Sequence, residues 1–190
     1  QVLTSAGAGA PPVFEDAAGG AWTKIESQTA SNDDFITFST LSTDYIDFRI
    51  IGTNVVPETD NQDARFQYST AGSFVTSGYT YAFAGSDEDS VARKSGNGSA
   101  AQISMVYTTA GNVSGENMYF EITVSDVHDT ANVKMVAFFT SQGPSANKYE
   151  QMYGGGRNGG FVTAVDGLRF FFAADGVGTG ELTLYGRKVT

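Results

Sequence analysis

The chain contains no cysteine, so it has neither a disulfide framework nor a thiolate metal site. Its single histidine is poor material for zinc, which needs several nitrogen or sulfur ligands. Basic residues are the minority: 11 Lys and Arg face 21 Asp and Glu, a formal net charge of −10. Such a chain is repelled by phosphate backbones, which argues against a nucleic-acid partner. No run approaches the roughly 20 apolar residues of a membrane helix, so membrane insertion is not expected. The opening residues lack the basic region and apolar core of a secretory leader. No window shows a capped helical stripe, and no repeat of solenoid or propeller length recurs.

What the chain does have is aromatic and β-forming material. Apolar residues make up 41% of its 190 positions, with 14 Phe and 9 Tyr. A single domain of this size buries roughly 70% of its unfolded surface and needs no covalent staple. Met118, Phe120, Ile122 and Val124 alternate with Tyr119, Glu121 and Thr123, which reads as a half-buried strand. Ile46, Phe48 and Ile50 alternate in the same way, as do Phe66 and Tyr68. Further strands are expected over 22–28, 34–41, 80–84, 102–108, 132–140, 167–173 and 181–189. Gly- and Asn-bearing breakers at 110–116 and 174–180 supply turn positions. The pattern predicts an all-β fold, a two-sheet antiparallel β-sandwich or jelly roll, over residues 21–190. Residues 1–20 are small and proline-bearing, cannot fold alone, and read as an extended neck or attachment segment.

The chemistry-bearing residues are sparse. His128 has flanking Asp126 and Asp129, but no G-x-S-x-G elbow marks a nucleophile for a triad. The acidic pairs Asp60/Asp63, Asp87 with Glu88 or Asp89, and Asp126/Asp129 all fall in turn-like segments, where Asp bonds nearby backbone amides. No catalytic residue and no cofactor is therefore expected. Asp60, Asn61 and Asp63 form a weak calcium candidate without the closing Glu of an EF-hand loop. The most unusual segment is 153–161, a glycine-rich stretch that lacks the Lys-Ser/Thr of a phosphate loop. It reads as a mobile loop. Tyr149, Tyr153 and Phe161 with Arg157 and Asn158 supply rings and hydrogen-bond donors suited to a sugar, and these five are the candidate ligand-binding residues.

The opening QVLTSAGAGAPPVF resembles the VLTSNGAGAAPTW-type segment of tailed-bacteriophage fibres and related virion proteins, where it joins a shaft to a C-terminal head. Ala6 stands where Asn is usual, and Pro11 where Ala is frequent. KIESQTAS at 24–31, YIDFRIIG at 45–52, VPETD at 56–60, RFQYST at 65–70, VDGLRFFF at 165–172 and GELTLYG at 180–186 resemble, in that order, the β-rich modules that follow such necks. The resemblance implies a virion structural protein (tail fibre, head fibre or spike), homotrimeric, located on the particle and contacting a glycan or protein of the host surface. It implies attachment to other virion proteins through Val2, Leu3, Pro11, Pro12 and Phe14. A capsid-decorating protein without receptor binding and a secreted carbohydrate-binding module are the alternatives, because sandwiches host all these roles.

Overall fold

The computed structural model describes residues 2–4, 9, 11, 13–15, 22–143, 148–160 and 162–188. Among them are strands β1 (Val2–Thr4), β2 (Val13–Glu15), β3 (Trp22–Asp33), β4 (Ile36–Ser39), β5 (Asp47–Pro57), β6 (Ala64–Thr70), β7 (Ser73–Phe74) and β8 (Tyr79–Asp87). There follow β9 (Ala92–Ala100), β10 (Ile103–Ser104), β11 (Met118–Val124), β12 (Met135–Gln142), β13 (Glu150–Asn158), β14 (Gly167–Phe172) and β15 (Val177–Arg187). Thirteen of these strands build two antiparallel sheets, and the fold is an all-β sandwich. The larger sheet has the order β3-β15-β5-β11-β12-β13-β8-β9. The smaller runs β10-β6-β14-β4, with β7 paired to β6. β1 and β2 pair with each other in a sheet of their own.

The strand periodicity explains how the sheets meet. Side chains alternate between faces, so residues directly opposite each other on neighbouring strands share a face. Leu184, Ile50, Ile122, Phe138, Gly154 and Phe83 form one inner row across the larger sheet. The smaller sheet contributes Ile36, Phe38, Phe66, Tyr68, Leu168, Phe170 and Phe172, all buried. Across the interface Phe120 stacks on Phe170, with centroids 4.4 Å apart and planes at 21°. Tyr79 reaches over from β8 to accept a hydrogen bond from the Tyr68 amide at 3.1 Å. Burial pushes both phenols well above their ordinary pKa, so both rings stay neutral.

Several boundaries differ from the sequence expectation. Strand 102–108 shrinks to Ile103–Ser104, although Met105 and Val106 remain buried. The breaker at 174–180 is shorter than expected, because β15 starts at Val177 and absorbs Gly180 at φ 131° beside register shifts. β9, ARKSGNGSA, has no apolar alternation; it is an edge strand held by backbone bonds to β8.

The largest correction concerns residues 153–161. Up to Asn158 they are not a mobile loop but part of β13, paired on both sides in the larger sheet. The glycines follow from what surrounds them. A Cβ at Gly154 would lie 2.4 Å from Phe138 Cζ and 2.5 Å from Phe83 Cβ, because those two neighbours close over it, with ring centroids 6.1 Å apart. A Cβ at Gly156 would meet Ile103 and Tyr81 at 2.9 Å. Neighbouring side chains and backbone thus occupy the space a Cβ would need at these positions. Replacing Gly154 with Ala should lower unfolding stability by about 1–3 kcal/mol through overpacking, read as a drop in urea midpoint. Gly98→Ala, with nothing within 4 Å of the new methyl, should leave the midpoint near that of the parent.

Candidate functional site

The outer face of the larger sheet carries the candidate site. In β13, Gln151, Tyr153, Gly155 and Arg157 alternate with the inward Met152, Gly154, Gly156 and Asn158. One outer row therefore contains Glu121, Phe139, Tyr153, Ala84 and Lys94, contributed by β11, β12, β13, β8 and β9. The next contains Thr123, Ala137, Gly155, Ala82 and Gly96. Beyond it Met135 stands opposite Arg157, and Arg157 opposite Thr80. The low middle row leaves an open hollow of about 510 Å³ walled by Tyr153 and Lys94 and floored by Ala82 and Ala84.

Three rings lead along the outer face to Tyr153, the one of them that lines this hollow. Tyr119 and Phe139 lie 6.1 Å apart, and Phe139 and Tyr153 lie 4.9 Å apart at 39°. Tyr153 is 60% exposed and Met135 54%, an unusual exposure for large apolar side chains grouped on one face. Tyr119 donates its hydroxyl to Glu121, which pushes its pKa up to about 12. Glu121 also pairs with Arg49 at 3.6 Å, and the Arg49 guanidinium lies 4.4 Å from the centre of the Trp22 ring. This end of the face is internally satisfied. Lys94 and Arg157 are different: among the described residues neither takes part in an ion pair.

The five ligand-binding candidates separate in the structure. Tyr153 and Arg157 share the outer face. Tyr149 sits at the same sheet's rim, its hydroxyl 3.0 Å from Ser141 Oγ and accepting from Gln151. Asn158 faces the other way: it is 1% exposed and donates to the Ser77 carbonyl at 2.5 Å. Phe161 lies outside the described residues. Phe139, Met135, Ala82, Ala84 and Lys94 were missed. β12 carried a signal, since Met135, Ala137 and Phe139 make its outer face apolar alongside an apolar inner face; Lys94 carried none.

The remaining candidates are held by local bonds. Asp60 accepts from the Asn61 amide at 3.0 Å, while Asp63 accepts from Arg65 at 3.0 Å and Ser104 at 2.7 Å. Among the described residues no group of three or more His, Asp or Glu side chains is placed to hold a metal ion. His128 Nε2 lies 3.1 Å from the Ser42 carbonyl, and its ring meets Phe48 edge-on. Asp129 is engaged by the Ala131 amide and Asn132 side chain. Of the attachment residues, Val2, Leu3 and Phe14 are described through their backbone pairing, Pro11 is exposed, and Pro12 lies outside the described residues. Elsewhere, Arg169 on the smaller sheet donates to Gln67 and packs over Phe35 and Phe74, 4.4 and 4.1 Å from the ring centres.

No family model matches the chain, and no curated protein or solved structure matches it either.

The strand that presents Lys94 depends on a buried carboxylate. Asp87 ends β8, and its Oδ1 accepts the amides of Val91 at 2.9 Å and Asp89 at 3.1 Å. Oδ2 accepts from Arg93 at 2.7 Å. The Val91 amide first, then Arg93, holds this carboxyl below its ordinary range. A depressed folded pKa means that the stabilisation is complete above the unfolded value, about pH 4, and fades as pH falls through the lower folded value. Asp87→Asn should therefore reduce the acid-induced loss of stability below about pH 4, measured by thermal melts along a pH series of both proteins.

Proposed function

We propose that the chain is the head domain of a tailed-bacteriophage virion appendage, a tail fibre, head fibre or spike, that assembles as a homotrimer and contacts the host cell surface. The observation that carries this reading is the pairing of the N-terminal strands: among the described residues β1 pairs with β2 and with no strand of either sheet. A hairpin that completes neither sheet suits attachment to other virion proteins, and its small residues suit close packing around a symmetry axis. The ordered resemblance of the following motifs to phage virion modules adds to it. So does the exposed apolar outer face, since grouped exposed apolar side chains mark interaction surfaces. The reading assigns no catalytic residue and no cofactor.

A second reading is favoured by the same outer face: a monomeric carbohydrate-binding module, for which a ring-walled hollow on a sheet is sufficient. A capsid-decorating role needs no receptor contact and leaves the hollow unused. The mass of the whole chain in solution, measured by sedimentation equilibrium, separates the first two. Three chain masses are expected. A strict monomer that retains its N-terminal segment overturns the appendage reading. Labelling on particles then distinguishes a tail or fibre tip from the capsid shell.

A further inference from the structure

We infer that the hollow beside Tyr153 binds a carboxylate-bearing saccharide, an inference that rests on the host-surface reading above and names its ligand class. Three features converge on this chemistry. The first is shape: the hollow is open and shallow, which suits a chain that lies along a sheet rather than a compact ligand that must be enclosed. The second is the ring of Tyr153, 60% exposed and braced from behind by Phe139 at 4.9 Å. A braced tyrosine offers a flat apolar face with little entropy left to lose, and the C–H faces of a pyranose pack against such a surface.

The third feature is charge. Lys94 lies two strands from Tyr153 in the same row, about 10 Å away by strand spacing. Arg157 lies four residues along β13, about 13 Å away. Both are exposed, and neither has a carboxylate partner among the described residues. In a chain of net charge −10, Lys94 in the wall of the hollow and Arg157 farther along the same face are complementary to an anion. The acid in the same row, Glu121, lies two strands from Tyr153 on the side away from Lys94 and is already engaged by Arg49 and the Tyr119 hydroxyl. Spaced carboxylates on a sugar backbone match two separate cations, whereas the dense charge of a nucleic acid would meet the acidic remainder of the surface. A second copy of this chain is a poorer fit, because lysine is depleted at the centre of protein interfaces.

The test uses the full chain against an array of uronate- and sialate-bearing oligosaccharides, each beside its neutral, reduced or esterified counterpart. Retention of at least one acidic saccharide over its neutral counterpart is expected, weakening as salt rises. Tyr153→Ala should lower that affinity about tenfold or more. Lys94→Met with Arg157→Met should abolish the preference for the acid form while the melting temperature stays near that of the parent. No retention of any acidic member, equal binding of neutral counterparts, or acid binding indifferent to these substitutions overturns the inference. A change of solution mass in Tyr153→Ala without any saccharide binding also overturns it and makes the face a contact between copies. Sedimentation of the parent chain reports on the appendage reading separately, so a trimer that ignores acidic saccharides sinks only the ligand class.

Discussion

The stacking of Phe120 on Phe170 joins the two sheets, and much of the arrangement follows from giving those rings room. Their centroids are 4.4 Å apart, and both residues are fully buried. Burying each ring is worth about 2–3 kcal/mol in apolar area alone. The geometry requires Gly52 beside Phe120, because any Cβ there would lie 2.3 Å from the Phe120 ring. The same trade recurs at Gly154 between Phe138 and Phe83. In this sandwich, large rings on one strand are matched by absent side chains on the next, which lets neighbouring strands pack closely.

That trade shapes the outer face of the larger sheet as well. With its inner glycines enclosed by neighbouring groups, β13 sits inside the larger sheet and presents Tyr153 and Arg157 outward. β8 and β9 then complete the hollow with Ala82, Ala84 and Lys94. β9 lies at the sheet's edge, where a lysine also discourages pairing with another chain. The two roles of Lys94 are compatible, since both need an exposed charge on the outer face.

Charged groups buried in the sandwich are used for architecture. Glu150, 1% exposed, accepts from the Tyr107 and Thr108 amides and the Thr108 hydroxyl, clamping that segment to β13. Lys134, also 1% exposed, donates to the Asp129 and Asn132 carbonyls and closes the loop before β12. Asp47 accepts from the Asp126 amide at 2.9 Å and from Arg187. Buried charges satisfied in this way hold connections between strands, because leaving them unpaired would be costly.

The all-β class and most strands were legible in the sequence, because alternation at β11, β5 and β6 records directly which side chains face a core. Two kinds of element were not. β9 has no apolar face, so its strand state comes from backbone bonds to β8 that no local pattern encodes. β13 reads as a loop because glycine is scarce in strands, and only the neighbouring Phe83 and Phe138 explain its place. Tyr153 and Arg157 were visible as chemistry, but Asn158, one residue away from Arg157, points into the interior. The sequence by itself determined the composition of the core and the strand period, which are local properties of the chain. Register across five strands decided which side chains share the outer face with Tyr153, because those partners are distant in sequence and meet only when the sheet forms.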